Sequence, residues 1–122
     1  MADKLMIIMA NSQPDNVNQL ISPLSQATVA AAMEFEVEMV FTGNAGAIVK
    51  SGVAKKLSLP ADLERSIYDL IQDAAAAGVK FKVCTTALEV WGEDLIPEIS
   101  ETVGGAYLIS EAMDDGTVVF TY

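Results

Sequence analysis

The chain has 122 residues, enough for one domain with a sizeable core, expected to run over 1–122. Seven basic against 17 acidic residues give a formal charge of −10, which argues against nucleic acid as a partner, because a phosphate backbone would be repelled. There is no histidine and one cysteine, Cys84, so the usual zinc sites, an internal disulfide and a Ser–His–Asp triad are excluded.

The first residues, "MADKLMIIMANSQPD", lack the basic start, long apolar core and cleavage site of a signal peptide. No apolar stretch in the chain reaches the roughly 18 residues of a membrane span. With no disulfide possible, a cytoplasmic location is expected, with no membrane contact. "KLMIIMA" (Lys4–Ala10) is a short continuous apolar run that suits a strand covered on both faces. "NSQPDN" is turn chemistry, with Pro14 placed for a first helical turn. Val17, Leu20, Ile21, Leu24, Ala27, Thr28 and Ala31 then predict a helix over about 14–33, with Pro23 expected to kink or split it. In "FEVEMVF" (Phe35–Phe41), a second strand, Glu36 and Glu38 alternate with apolar residues, so part of one face is expected to meet water.

The stretch Thr42–Pro60 is the least regular, with a short helix expected around Ala45–Ser51. "LPADLERSIYDLIQDAAAAG" is the clearest helix, with Leu63, Ile67, Leu70, Ile71 and Ala74 on one face, Asp62 and Glu64 at its start and Gly78 stopping it. "VKFKV" is a third strand, "TTALEVW" opens another helix, and "EDLIPEIS" reads as a loop with a helical turn. A helix then runs from Gly104 or Gly105 to Gly116, and "TVVFTY" is the last strand. Strands alternating with helices imply an α/β fold, a mostly parallel sheet with helices on both faces. Sites in such sheets collect at the carboxyl ends of strands, and Cys84 stands at one.

Thr86 and Glu89 fit a capping box. With Thr86 as N-cap, Cys84 precedes the helix by two residues, and the unpaired N–H groups and positive helix end favour thiolate over thiol. Lys80 and Lys82 precede the cysteine at period two and share its strand face, a possible electrostatic support. The plainer alternative is a small buried hydrophobe, the commoner state of a free cysteine. Other features are weaker. "TGNAGA" (Thr42–Ala47) lacks the pattern of a phosphate loop and reads as a plain loop, although Gly43 and Asn44 can line a site rim, as can Ser12 after the first strand. "VGGA" (Val103–Ala106) offers an anion cradle or, more commonly, close packing of a turn. Lys50, Lys55 and Lys56 read as a solvated loop or a charged flap, and Trp91 as core. No calcium-type loop is present and no metal is expected.

The stretch "AAAAGVKFKVCTTALEVWGEDLIPEISETVGGAYLISEAMDDGTVVF" resembles the DsrE/DsrF/DsrH-like family of small sulfur-transfer proteins. Its pattern is a helix ending in "AGVK", a strand ending in Cys84, a short helix with Gly92, "EDLIP", a Gly-Gly turn, a helix and a final strand. The front half is similar to the family's first two βα units. The resemblance implies a three-layer α/β/α sandwich around a mostly parallel sheet of about five strands, assembled as a homotrimer, homohexamer or related homo-oligomer. It implies that Cys84 holds sulfane sulfur as a persulfide and passes it to an acceptor thiol, with no cofactor. The implied partners are TusA-like or rhodanese-like sulfur donors and acceptors, in sulfur oxidation or tRNA thiolation. Backbone N–H groups of Thr85 and Thr86 suit the role of stabilising the terminal sulfur. Other members lack the cysteine and serve as structural subunits, so a non-catalytic assembly subunit with a buried cysteine is the alternative. A cysteine peroxide reductase and a flavodoxin-like nucleotide site are weaker readings, one without an evident activating residue, the other without a phosphate loop.

Overall fold

The computed structural model describes residues 3–122. The opening apolar run forms strand β1 (Lys4–Met9), followed by helix α1 (Asn18–Ala32) and strand β2 (Glu36–Phe41). Two 3-10 segments, Gly43–Val49 and Ala54–Lys56, lead into a short hairpin, β3 (Ser58–Leu59) and β4 (Asp62–Ser66). Helix α2 (Ile67–Ala77), strand β5 (Lys80–Cys84), helix α3 (Thr85–Trp91), strand β6 (Ile99–Val103), helix α4 (Gly105–Ala112) and strand β7 (Thr117–Thr121) complete the chain. The main sheet has five strands in the order β6-β5-β2-β1-β7, and every pairing within it is parallel.

Parallel strands need crossovers, and right-handed crossovers decide which face each helix covers. The steps from β1 to β2, β5 and β6 all move one way across the sheet, so α1, α2 and α3 share a face. The step from β6 to β7 runs back across it, which puts α4 on the opposite face. Strand alternation matches. Ile7, Met9, Val37, Met39, Phe41, Phe81 and Val83 pack with Leu20, Leu24, Ala27, Ile67, Ile71 and Ala74 in the apolar core. The rings of Phe41 and Phe81 stack with centroids 6.2 Å apart. The intervening residues Lys4, Met6, Glu38, Val40, Lys82 and Cys84 point to the α4 side and are all buried.

Several expectations change. Pro23 does not split its helix: α1 is continuous, because the proline sits in the second turn and frees the carbonyl of Gln19, an exposed residue that water can serve. The helix expected from "LPADLERS" starts later, at Ile67. Ser66 and Asp69 form the capping box, the Asp69 carboxylate accepting from the Ser66 N–H at 2.7 Å. Asp62 and Glu64 therefore lie in a strand, and Leu63 is 75% exposed. Gly78, at φ 115°, ends α2 in the left-handed conformation, as expected. The helix expected around Ala45–Ser51 is the 3-10 segment Gly43–Val49. "EDLIPEIS" is a loop with a single hydrogen-bonded turn, Ile99 N–H to the Ile96 carbonyl at 3.2 Å, but its last two residues begin edge strand β6, whose exposed Ser100, Glu101 and Thr102 give no apolar signal. The last helix ends at Ala112 rather than Gly116.

Candidate functional site

Cys84 is the last residue of β5 and also the N-cap of α3, in extended backbone at φ −77° and ψ 141°. The helix therefore begins at Thr85, and the expected Thr86–Glu89 capping box does not form. With the cap two residues earlier than expected, the Thr86 side chain serves the sulfur: its hydroxyl donates to Cys84 Sγ at 3.3 Å. The cysteine is only 5% exposed. Burial pushes its thiol pKa up, but hydrogen bonds from the Thr86 hydroxyl and N–H, the Thr42 hydroxyl and the Thr85 N–H outweigh it, leaving the thiol below its ordinary value.

Thr42 was not among the expected site residues. Phe41 pairs in register with Val83, so the next residue on β2 lies beside Cys84 on β5. The available signal was a hydroxyl residue directly after the second strand, visible once β2 and β5 are known to be neighbours.

The lysines act elsewhere. Lys80 is exposed at the start of β5, four residues from the cysteine, about 13 Å along a strand. Lys82 shares the face of Cys84, as alternation predicts, but its ammonium is paired with Glu38, with Glu101 at 2.6 Å and with the Tyr107 hydroxyl at 2.7 Å. The groups that hold the thiol down are hydroxyls and backbone N–H groups, a correction to the expected lysine support.

The rim residues separate. Ser12, 3% exposed, follows β1 at the same end of the sheet. Gly43 takes φ +55°, and its carbonyl accepts from Trp91 Nε1 at 2.9 Å, while Asn44 is exposed. Trp91 packs against the core as expected. At Gly46 a Cβ would meet Ala87 Cβ at 2.7 Å and Trp91 Cδ1 at 2.8 Å, so only glycine lets the 3-10 segment close on α3. The "TGNAGA" segment thus buttresses the helix behind Cys84. The Gly-Gly turn does not follow the close-packing expectation: a Cβ on Gly104 or Gly105 would meet nothing within 4 Å.

A second constellation lies on the α4 face. Glu38, expected on a wet strand face, is 3% exposed. It is ion-paired with Lys82 and with Lys4 at 3.1 Å, and accepts from the Tyr107 hydroxyl at 2.7 and 2.9 Å. Lys4 is also ion-paired with Glu111. Burial pushes the Glu38 carboxyl up, but its hydrogen bonds from Lys82, Tyr107 and Lys4 bring it below the ordinary carboxylate range. Burial lowers Lys82, and Glu101, Glu38 and Tyr107 more than reverse that, so it stays charged far into the alkaline range. Alternation alone could not reveal that these charges neutralise one another.

Among the described residues there is no cluster of His, Cys, Asp and Glu suited to a metal, and no helix long and apolar enough to cross a membrane. A cavity of about 530 Å³ lies between α1 and β7, walled by Leu5, Val29, Met33, Phe35, Val118 and Phe120. Two strands separate β7 from the cysteine-bearing β5.

The whole chain has structural relatives. The crystal structure of the ychN protein from E. coli superposes with a TM-score of 0.74 at 19% identity, covering 98% of this chain and 99% of that one. A conserved protein of unknown function from Bacteroides thetaiotaomicron, BT1422, gives 0.67 at 13% identity, covering 98% and 95%. Identities this low show likeness of fold alone. A comparison with curated proteins gives no match. The model of the DsrE/DsrF-like family matches residues 4–122.

Proposed function

The chain belongs to the DsrE/DsrF-like family, which is related to sulfur relays, and on that premise we propose that it is a sulfur carrier that holds sulfane sulfur on Cys84. The observation that carries this reading is the setting of the sulfur: the Thr86 hydroxyl donates to Cys84 Sγ at 3.3 Å, Thr42 lies beside it at the end of the neighbouring strand, the thiol is held below its ordinary pKa, and the chain has no second cysteine.

In the loading step the Cys84 thiolate, its proton released to water, attacks the outer sulfur of a donor persulfide. The Cys84 Sγ–S bond forms, the donor's S–S bond breaks, and the donor leaves as a thiolate. In the unloading step an acceptor thiolate attacks the outer sulfur on Cys84, takes it as its own persulfide, and Cys84 returns to thiolate. In each step the sulfur passes as neutral sulfane sulfur: the attacking thiolate supplies the electron pair of the new S–S bond, the leaving thiolate keeps the pair of the broken one, and no external oxidant or reductant enters. A thiol held below its ordinary pKa supplies more nucleophile near neutral pH and is also the better leaving group. The same donors suit the charge of a terminal persulfide sulfur. The second thiol of each exchange comes from the partner, so no resolving cysteine is needed. TusA-like or rhodanese-like proteins are the proposed partners, and a cytoplasmic homo-oligomer the proposed state.

The 5% exposure of Cys84 favours a second reading, an assembly subunit whose cysteine only packs. Incubation with polysulfide followed by intact mass decides between them. A carrier gains whole sulfur atoms and its Cys84→Ser variant gains none. A native protein that takes up no sulfur contradicts the carrier reading.

A further inference from the structure

We propose that α4 is a latch over the sheet face that carries Cys84, held shut by Tyr107 and Glu111 on the buried Lys4–Glu38–Lys82 cluster, and that its release opens the thiol to a partner. The importance of such access rests on the carrier reading, but the latch itself is a property of the fold.

Among the described residues α4 is the one helix on that face, and it is attached unlike the others. None of its residues is buried, and none belongs to the apolar core. Ile109 is 67% exposed, and Met113, just past its end, 78%. Its side-chain hydrogen bonds and ion pairs to the sheet come from Tyr107 and Glu111. The Tyr107 hydroxyl donates to Glu38 and accepts from Lys82 at 2.7 Å, its ring centroid lies 4.7 Å from the Lys82 ammonium, and Glu111 pairs with Lys4.

The position bears on the cysteine. Tyr107 sits over Lys82, one same-face position before Cys84 on β5, or about 7 Å along the strand. Val103, in register with Cys84 on β6, is followed at once by Gly104 and Gly105, where α4 begins. No Cβ contact would fix either glycine, so this turn is free to act as the hinge. In the closed structure Cys84 is 5% exposed, too little for the thiol of another protein to reach.

The energetics favour a local opening. When α4 lifts, Glu38, Lys4 and Lys82 stay paired with one another and gain water, so no buried charge is left alone. The Lys4–Glu111 pair is partly solvated at Glu111, where such pairs contribute little. Met6 and Val40, fully buried on the same face, gain water as the face opens, which keeps the closed form the resting one. Helices of this kind open without global unfolding.

The test is the rate at which N-ethylmaleimide, an uncharged thiol reagent, labels Cys84 in the folded full-length protein, followed by intact mass across low urea concentrations. The wild type should label with little urea dependence, as local opening exposes little new surface. Tyr107→Phe, which removes bonds to two charged groups, should label on the order of tenfold faster. Gly105→Ala, whose added methyl meets nothing, stiffens the hinge and should label about two- to fivefold slower. Gly105→Ala keeps the proposal testable if Tyr107→Phe folds poorly. Labelling with the steep urea dependence of global unfolding, or a rate unchanged in Gly105→Ala, overturns the latch. No sulfur donor enters this experiment, so its failure leaves the carrier reading standing, and failure of sulfur loading leaves the latch standing.

Discussion

The two faces of the sheet are built on different principles. Under α1 and α2 the strands present Ile7, Met9, Val37, Met39, Phe41, Phe81 and Val83, and the helices close on them with apolar side chains. On the opposite face the same strands present Lys4, Glu38, Lys82 and Cys84, and a helix with no buried residue, α4, holds the three charged groups through Tyr107 and Glu111. The apolar face supplies most of the cohesion, because burial scales with apolar area taken from water. The charged face adds little net stability, since desolvation offsets most of the attraction in a buried ion cluster. It does fix where charges sit, two residues from the thiol along β5. The difference separates stability from chemistry on opposite sides of one set of strands.

Substitutions on each face should behave accordingly. Phe81→Ala removes a ring that stacks on Phe41 and should cost about 3–5 kcal/mol in urea unfolding, the largest effect expected. Glu38→Gln leaves two buried lysines without their shared carboxylate and should cost about 3 kcal/mol at neutral pH. That difference should depend on pH. Glu38 has a lowered folded pKa, so its stabilisation is complete above the ordinary carboxyl value of 4.5 and is lost as pH falls through the folded value. The wild type and Glu38→Gln should therefore converge in stability in acid and diverge towards pH 7. A gap that persists unchanged in acid would count against the ion cluster. Thr42→Val should change stability least, by less than about 1 kcal/mol, yet should move the pH midpoint of alkylation at Cys84 upward and slow alkylation several-fold at pH 7. An unmoved midpoint would remove Thr42 from the site.

The apolar face was largely legible in the sequence and the charged face was not. "KLMIIM", "VEMVF" and "FKV" announce strands because apolar residues dominate them, and the spacing of Ile67, Leu70, Ile71 and Ala74 announces a helix. Cys84 at a strand end was equally plain. Glu38 misled because a glutamate alternating with apolar residues looks solvated, and its neutralising partners lie 34 residues before it (Lys4), 44 after it (Lys82) and 69 after it (Tyr107). Thr42 was hidden for a related reason: its place beside the thiol depends on strand order. The start of α2 was readable after all, since Ser66 and Asp69 have capping-box spacing, but Leu63 at helical spacing drew the expected start too early. Edge strand β6 carried three exposed polar residues and no strand signal.

The central claim is that Cys84 carries sulfur between partners, and transfer tests it most directly. The protein is loaded with polysulfide, freed of excess, and mixed with a carrier protein bearing one reactive thiol, and both are followed by intact mass. The sulfur should leave Cys84 and appear on the acceptor, while a Cys84→Ser protein taken through the same steps delivers none. Sulfur that stays on Cys84 with every acceptor thiol, or that reaches the acceptor equally from Cys84→Ser, would contradict the account.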